Sequence, residues 1–206
     1  ILLAICTGLT ACKNTNNKKP EIIEETDSKV SETVQPPKVE TKTEKPAKGG
    51  FDINNIVISD SDLGNFPFFG LPNGLELGKE PVIMGYDILF FPIDSVMTPI
   101  EGKTWKALIS LPRESEETWS LAYFKKSYDD AIKTVGGVKI FDGKVSKEEL
   151  DRIHEDAYFG TGSIDYWNEP ASVYIIRRAN GEDVYIQLSG NSVWGQLQVL
   201  QKTAFE

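Results

Sequence analysis

Every aromatic residue of this 206-residue chain lies on one side of Gly49-Gly50. Residues 51–206 hold all 21 of them, and residues 13–50 hold none. In that earlier stretch the apolar side chains are Ile22, Ile23, Val30, Val34, Val39 and Ala47, scattered among Lys, Glu and Thr. Burial of so few groups does not offset the entropy of ordering a chain, and Pro20, Pro36, Pro37 and Pro46 interrupt any helix. The composition predicts a disordered tether up to residue 50 and one folded domain over 51–206, a length suited to a single hydrophobic core. As a flexible coil the 38 residues from 13 to 50 would reach about 35 Å, at roughly 5–6 Å times the square root of length.

The charge divides at the same boundary. Residues 13–50 carry eight Lys against seven acidic residues, while residues 51–206 carry 14 basic against 24 acidic, a net charge of −10. A domain this acidic lacks the basic stripe that nucleic-acid binding requires, so no nucleic-acid partner is expected. Two Cys and one His are too few for a disulfide framework or a four-ligand zinc site.

Within 51–206 the pattern is that of an α+β domain, an antiparallel sheet with two helices packed on it. Residues 51–58 read as a short first strand, and 60–74, rich in Gly, Pro and Asn, as an ordered loop with a buried aromatic cluster. Residues 82–91 (VIMGYDILFF) are apolar on both faces, as in a central strand. Residues 104–111 alternate, with Trp105, Ala107, Ile109 and Leu111 on one face. Phe124, Tyr128, Ala131, Ile132 and Val135 form a helical stripe over 124–135, and Gly136-Gly137 supplies its stop. Val138 and Ile140 begin a short strand that turns at Asp142-Gly143. Ser146 and Glu149 have capping-box spacing ahead of a second helix, with Val145 and Leu150 as its hydrophobic staple. Residues 172–178 and 183–188 flank Asn180-Gly181, a type I′ hairpin signal. With Arg178 opposite Asp183, that register places Val173, Ile175, Val184, Ile186 and Leu188 on one core-facing side. Residues 193–201 follow as a third strand of this meander.

The first residues read as an address. Residues 1–11 are uncharged, mostly apolar, and too short to span a bilayer, which takes about 20 residues. They match the apolar part of a secretory signal, without its initiator Met or basic start, which implies that the chain begins inside the signal. Leu9-Thr10-Ala11-Cys12 resembles the lipobox of bacterial lipoproteins. The resemblance implies lipidation of Cys12, cleavage before it, and membrane attachment through its acyl chains. Lys13, where that family uses Asp for inner-membrane retention, implies the outer membrane.

Two further stretches carry a second resemblance. They are Tyr123–Ile132 with Val135–Lys144, and Val173–Arg178 with Val184–Leu188. Together they resemble the periplasmic module that precedes the peptidoglycan-binding domain in OmpA-family envelope lipoproteins. The chain stops at Glu206, where that domain would begin, so it is either truncated or a stand-alone version, and no peptidoglycan-binding residue carries over. The resemblance implies an accessory role in attaching peptidoglycan or an envelope protein.

Catalytic signatures are sparse. His154 stands at the edge of the second helix beside Glu155 and Asp156, with no nucleophile motif to serve. Asp60 and Asp62 start like a calcium loop but lack its later ligands. No phosphate loop, dinucleotide fingerprint or nucleophile elbow occurs. Neither a cofactor, a metal nor a catalytic residue is therefore expected. Tyr166, Trp167 and Trp194 are the candidate ligand-binding residues, because aromatic faces beside Asn and Asp suit sugar rings. The reading is a non-enzymatic, lipid-anchored structural or binding module. Its alternative is an envelope hydrolase that acts on glycan or peptide through carboxylates.

Overall fold

The computed structural model describes residues 50–153 and 162–203. The chain separates into residues 1–45, which lie outside the described residues, and a compact unit over 46–206. This unit has the expected α+β architecture. Among the described residues its seven strands are β1 (Glu76–Leu77), β2 (Val82–Ile93), β3 (Val96–Ser110), β4 (Val138–Gly143), β5 (Ala171–Ile176), β6 (Val184–Gly190) and β7 (Gly195–Lys202). They form one antiparallel sheet in the order β1-β3-β7-β6-β5-β4, with β2 also paired to β3. The helices are α1 (Leu121–Thr134) and α2 (Lys147–Ile153).

The sheet is covered on both faces. On one face α1 lays Phe124, Tyr128 and Ile132 against Trp105, Ala107 and Ile109 of β3 and against apolar residues of β5, β6 and β7. The expected buried aromatic loop packs here too, through the half-buried Phe66, Phe68 and Phe69. On the other face Leu89, Phe91 and Ile93 of β2 fold back over Val173, Ile175, Tyr185 and Leu200. The opposite side of the same hairpin, Phe90 and Met97, packs with Val145, Leu150 and Ile153 of the α2 region. The β2–β3 hairpin is therefore held between two apolar clusters.

Local chemistry sets the helix ends. Ser120 caps α1 by accepting the Tyr123 N–H at 3.2 Å, so the helix starts three residues before the apolar stripe. At the other end the Gly137 N–H bonds to Ile132 O and the Gly136 N–H to Lys133 O. Gly136 takes φ +82°, the left-handed conformation this closure needs. Ala131, expected on the buried stripe, is exposed. For α2, Ser146 Oγ accepts the Glu149 N–H at 3.2 Å. The reciprocal bond of a capping box does not form. The Glu149 carboxylate instead accepts the Met97 N–H at 2.6 Å, and Arg152 donates to Met97 O at 2.8 Å, so α2 is stitched to the start of β3.

Three expectations are corrected. Residues 51–58 are not a strand. Ile53–Asn55 form a 3₁₀ turn capped by Asp52, and Ile58 makes a single parallel bridge to Arg177. β2 is an edge strand and not a central one, since it pairs only with β3. Its near half exposes Ile83, Met84, Tyr86 and Ile88, and only its far half is buried on both sides.

The third correction is the hairpin register. Ile175 faces Tyr185 and Ile176 faces Val184, one residue away from a two-residue loop. Such a slip moves one strand's side chains to the other face. Val184, Ile186 and Leu188 therefore share the α1 face with Tyr174 and Ile176, while Val173 and Ile175 point to the β2 side. The cause is polar. Arg177 O accepts the Ser59 N–H at 2.8 Å, and the Arg178 N–H donates to Asp183 Oδ1 at 2.7 Å. Both residues are thereby withdrawn from the ladder. Gly181 alone of the expected turn pair takes positive φ, +77°. The two-residue turn with both residues at positive φ occurs elsewhere, at Asp94-Ser95 (φ +50° and +66°) between β2 and β3.

Tyr128 is buried under α1, and its hydroxyl has no hydrogen-bond partner among the described residues. An unsatisfied buried hydroxyl costs about 1–3 kcal/mol. Tyr128→Phe is therefore expected to leave stability unchanged or raise it by up to about 1 kcal/mol, as read from urea unfolding. A loss of 1 kcal/mol or so would show that the hydroxyl is paired.

Candidate functional site

Among the described residues, a candidate site is a groove of about 460 Å³ at one end of β3 and β7. Its walls include Trp119, Trp194, Val193, Arg113, Glu76 and Ser110. Three elements bring them together. Glu76 of β1 pairs opposite Ser110 at the end of β3. Arg113 and Trp119 lie in the connection from β3 to α1, and Val193 and Trp194 form the tip of the β6–β7 turn.

Asn191 organises that tip. Its Oδ1 accepts the N–H groups of Val193 (2.9 Å) and Trp194 (3.2 Å), and its own N–H donates to Trp194 O at 3.0 Å. Its carbonyl accepts Trp119 Nε1–H at 2.9 Å. One residue thus fixes the backbone turn that carries Trp194 and holds the Trp119 indole, although Trp119 is 72 positions away. Trp119 is also backed by Phe124, with ring centres 5.7 Å apart. Trp194 remains 39 % exposed at the rim.

A second polar feature lies within the other face of the sheet. Lys106, Gln198 and Gln187 stand side by side on β3, β7 and β6, and all three are buried. Lys106 Nζ pairs with Asp87 Oδ2 at 3.0 Å, and Thr104 Oγ1 donates to the same oxygen at 3.3 Å. Gln187 Nε2 donates to Gln198 Oε1, and Gln198 Nε2 to Gly162 O, both at 2.6 Å. Gly162 lies so close that an added Cβ would fall 2.8 Å from Lys106 Cβ. Each of these buried groups has a partner among the described residues, and the row holds the 162–166 segment on the sheet.

A third cluster ties α1 to the β4 edge. Asp129 accepts from Lys133, from Tyr174 Oη at 2.8 Å, and from Lys139 at 3.3 Å. Partial burial alone would raise the Asp129 carboxyl, but these donors outweigh it and hold the group down to about 2. The arrangement is an ion-pair clasp.

The expected aromatic trio is divided. Tyr166 is buried, and its hydroxyl shares its proton between Phe90 O and Gln187 Oε1. Burial pushes its phenol well above the usual tyrosine range. Tyr166 is therefore a core residue and cannot offer a ring face to a ligand. Trp167 is exposed but does not line the groove. Trp194 alone of the three does, and its companions Trp119, Arg113 and Glu76 were missed by the sequence reading. Asp62 accepts the Gly64 N–H at 2.9 Å, closing an Asx turn. Among the described residues no cluster of His, Cys, Asp or Glu could hold a metal ion. Cys12 and His154 lie outside the described residues. No helix among those described is long and apolar enough to cross a membrane.

Comparison with known proteins finds no matching family model, curated protein or solved structure.

Proposed function

We propose that this chain is a non-enzymatic binding module of the bacterial cell envelope. Acyl chains on Cys12 hold it at the periplasmic face of the outer membrane, and it is an accessory to the attachment of peptidoglycan or an envelope protein. The lipobox-like Leu9-Thr10-Ala11-Cys12 supports the anchor. The observation that carries the binding role is the preformed aromatic groove, together with its place on the sheet. Phe51 and Lys202 line a separate hollow at the far end of β3. Gly102 pairs with Lys202 there, whereas Ile109 pairs with Gly195 beside the groove. At about 3.3 Å per residue the two ends stand roughly 23 Å apart.

The anchor is tested on the full precursor by incorporation of a labelled fatty acid and by intact mass. One acyl chain binds a membrane reversibly, at about 0.8 kcal/mol per buried methylene, and a second makes the attachment persistent. The wild type is expected to take up label and to begin at Cys12. Cys12→Ser should abolish both label and cleavage, with the melting temperature of the folded unit unchanged. A wild-type protein without label, cleaved elsewhere, would remove the anchor and the localisation with it.

A further inference from the structure

We infer that the Trp119–Trp194 groove is a saccharide-binding site, with Trp194 as its stacking platform and Asn191 as the residue that shapes the turn carrying Trp194 and anchors the Trp119 indole. The inference deepens the binding role proposed above and rests on it for the source of the sugar, an envelope glycan.

The argument starts from what a sugar ring demands. Its C–H face is apolar and stacks on an aromatic ring, while its hydroxyls each need a donor or an acceptor. The groove supplies both. Trp194 and the exposed Val193 form an apolar rim, and Trp119 lies beside them. Around them stand Glu76, Arg113, Ser110 and Ser192, a carboxylate acceptor, a guanidinium donor and two hydroxyls. Among the described residues these four side chains form no hydrogen bond or ion pair. Arg152 binds Glu149 and Met97 O, Arg177 binds Asn54 and Ile56 O, and Arg178 binds Ser61 O. Among the described residues Arg113 alone of the four arginines has donors without a protein partner.

These polar groups select against other ligands. A hydrocarbon in the groove would desolvate them without compensation. A phosphate-rich ligand would meet Glu76 and the net charge of −10 carried by residues 51–206. A neutral polyhydroxylated ligand meets neither penalty. The groove is also set in advance, because Asn191 fixes the turn and the Trp119 indole through bonds already made. Less ordering is then required on binding. A volume of about 460 Å³ lies within the range of about 300–1,000 Å³ typical of small-ligand sites.

The test titrates the mature chain with a β-1,4-linked N-acetylglucosamine trimer and with maltotriose, followed by calorimetry and tryptophan fluorescence. At least one is expected to bind in the millimolar range or tighter. Trp194→Ala should weaken that binding by about tenfold or more at an unchanged melting temperature. Asn191→Ala should weaken it as well, and Asn191→Asp, which keeps the Oδ1 acceptor, should recover part of the loss. Trp167→Ala, outside the groove, should bind as wild type does. No response to either sugar at about 10 mM, where a Kd of about 1 mM would be nearly saturated, overturns the saccharide assignment. Binding that Trp194→Ala leaves intact overturns the location. Fatty-acid labelling of Cys12 is scored separately, so failure of the sugar site and failure of the anchor are distinct results.

Discussion

Asp87→Ala should destabilise the folded unit by about 3 kcal/mol. The reason is the partner it leaves behind. The Lys106 side chain is 6 % exposed and that of Asp87 27 %, so the variant retains an ammonium group in the sheet without its carboxylate. Breaking a buried pair by removing one member typically costs about 3–5 kcal/mol, and the partial exposure of Asp87 places this case at the lower end. Thr104 Oγ1 loses an acceptor in the same change. Gln198, opposite Lys106 on β7, cannot replace the carboxylate, because its amide is engaged with Gln187 and Gly162 O. The double variant Asp87→Ala/Lys106→Met removes the stranded charge and should return to within about 1 kcal/mol of the parent, since apolar replacement of a buried pair is often neutral. Urea unfolding of the parent and both variants decides the matter. A single variant within about 0.5 kcal/mol of the parent would show that Lys106 reaches water, and the ion-pair account would fail.

The sequence disclosed elements where one periodicity met one buried face. Helix α1 was legible because Phe124, Tyr128 and Ile132 repeat at the helical period and are all buried. The alternation of Trp105, Ala107 and Ile109 on β3 was legible for the corresponding reason. It became ambiguous where both faces are covered. Every residue of β5 and β6 is buried, so a one-residue slip exchanges one apolar face for another and hydropathy cannot choose the register. The choice falls to Ser59–Arg177 and Asp183–Arg178, interactions that periodicity does not report. β2 misled in a similar way. The far half of its apolar run reflects a hairpin end held between two clusters, while the near half is exposed at the sheet edge.

The site was half legible. Trp194 stood out as an aromatic residue at a turn. Tyr166 and Trp167 are adjacent in sequence, yet one is buried and hydrogen-bonded while the other is exposed, which proximity along the chain does not reveal. Trp119 joins the groove through a bond to a backbone carbonyl 72 residues distant, and Arg113 and Glu76 arrive from two further segments. The polar row Lys106–Gln198–Gln187 left a fainter trace, as polar residues inside otherwise apolar strands.

The core and the groove meet at Gly195, where Gly195→Ala should damage both. A Cβ added there would lie 2.5–2.6 Å from three atoms of the Phe124 ring. That ring is fully buried and cannot yield freely, because it packs edge-on against Tyr128 at 5.3 Å and lies beside Trp119 at 5.7 Å. Overfilling a packed site typically costs about 1–3 kcal/mol, and this contact belongs at the upper end, since the opposing atoms are aromatic and hemmed in. The displacement also has a direction. If Phe124 shifts away from β7, its neighbour Trp119 loses its backing, and the bond from Trp119 Nε1 to Asn191 O is strained from the indole side. Gly195→Ala should therefore lower the unfolding free energy by about 2–3 kcal/mol and weaken oligosaccharide binding under conditions where the protein is still folded. Phe124→Leu on the same background frees the space the new methyl needs and should recover part of the stability. It supplies no aromatic backing for Trp119, so binding should stay weak. Thermal unfolding and fluorescence titration of the two variants separate these effects. Full binding by the single variant at normal stability would show that the ring of Phe124 does not press on β7, and the proposed link between the helix α1 core and the groove would be lost.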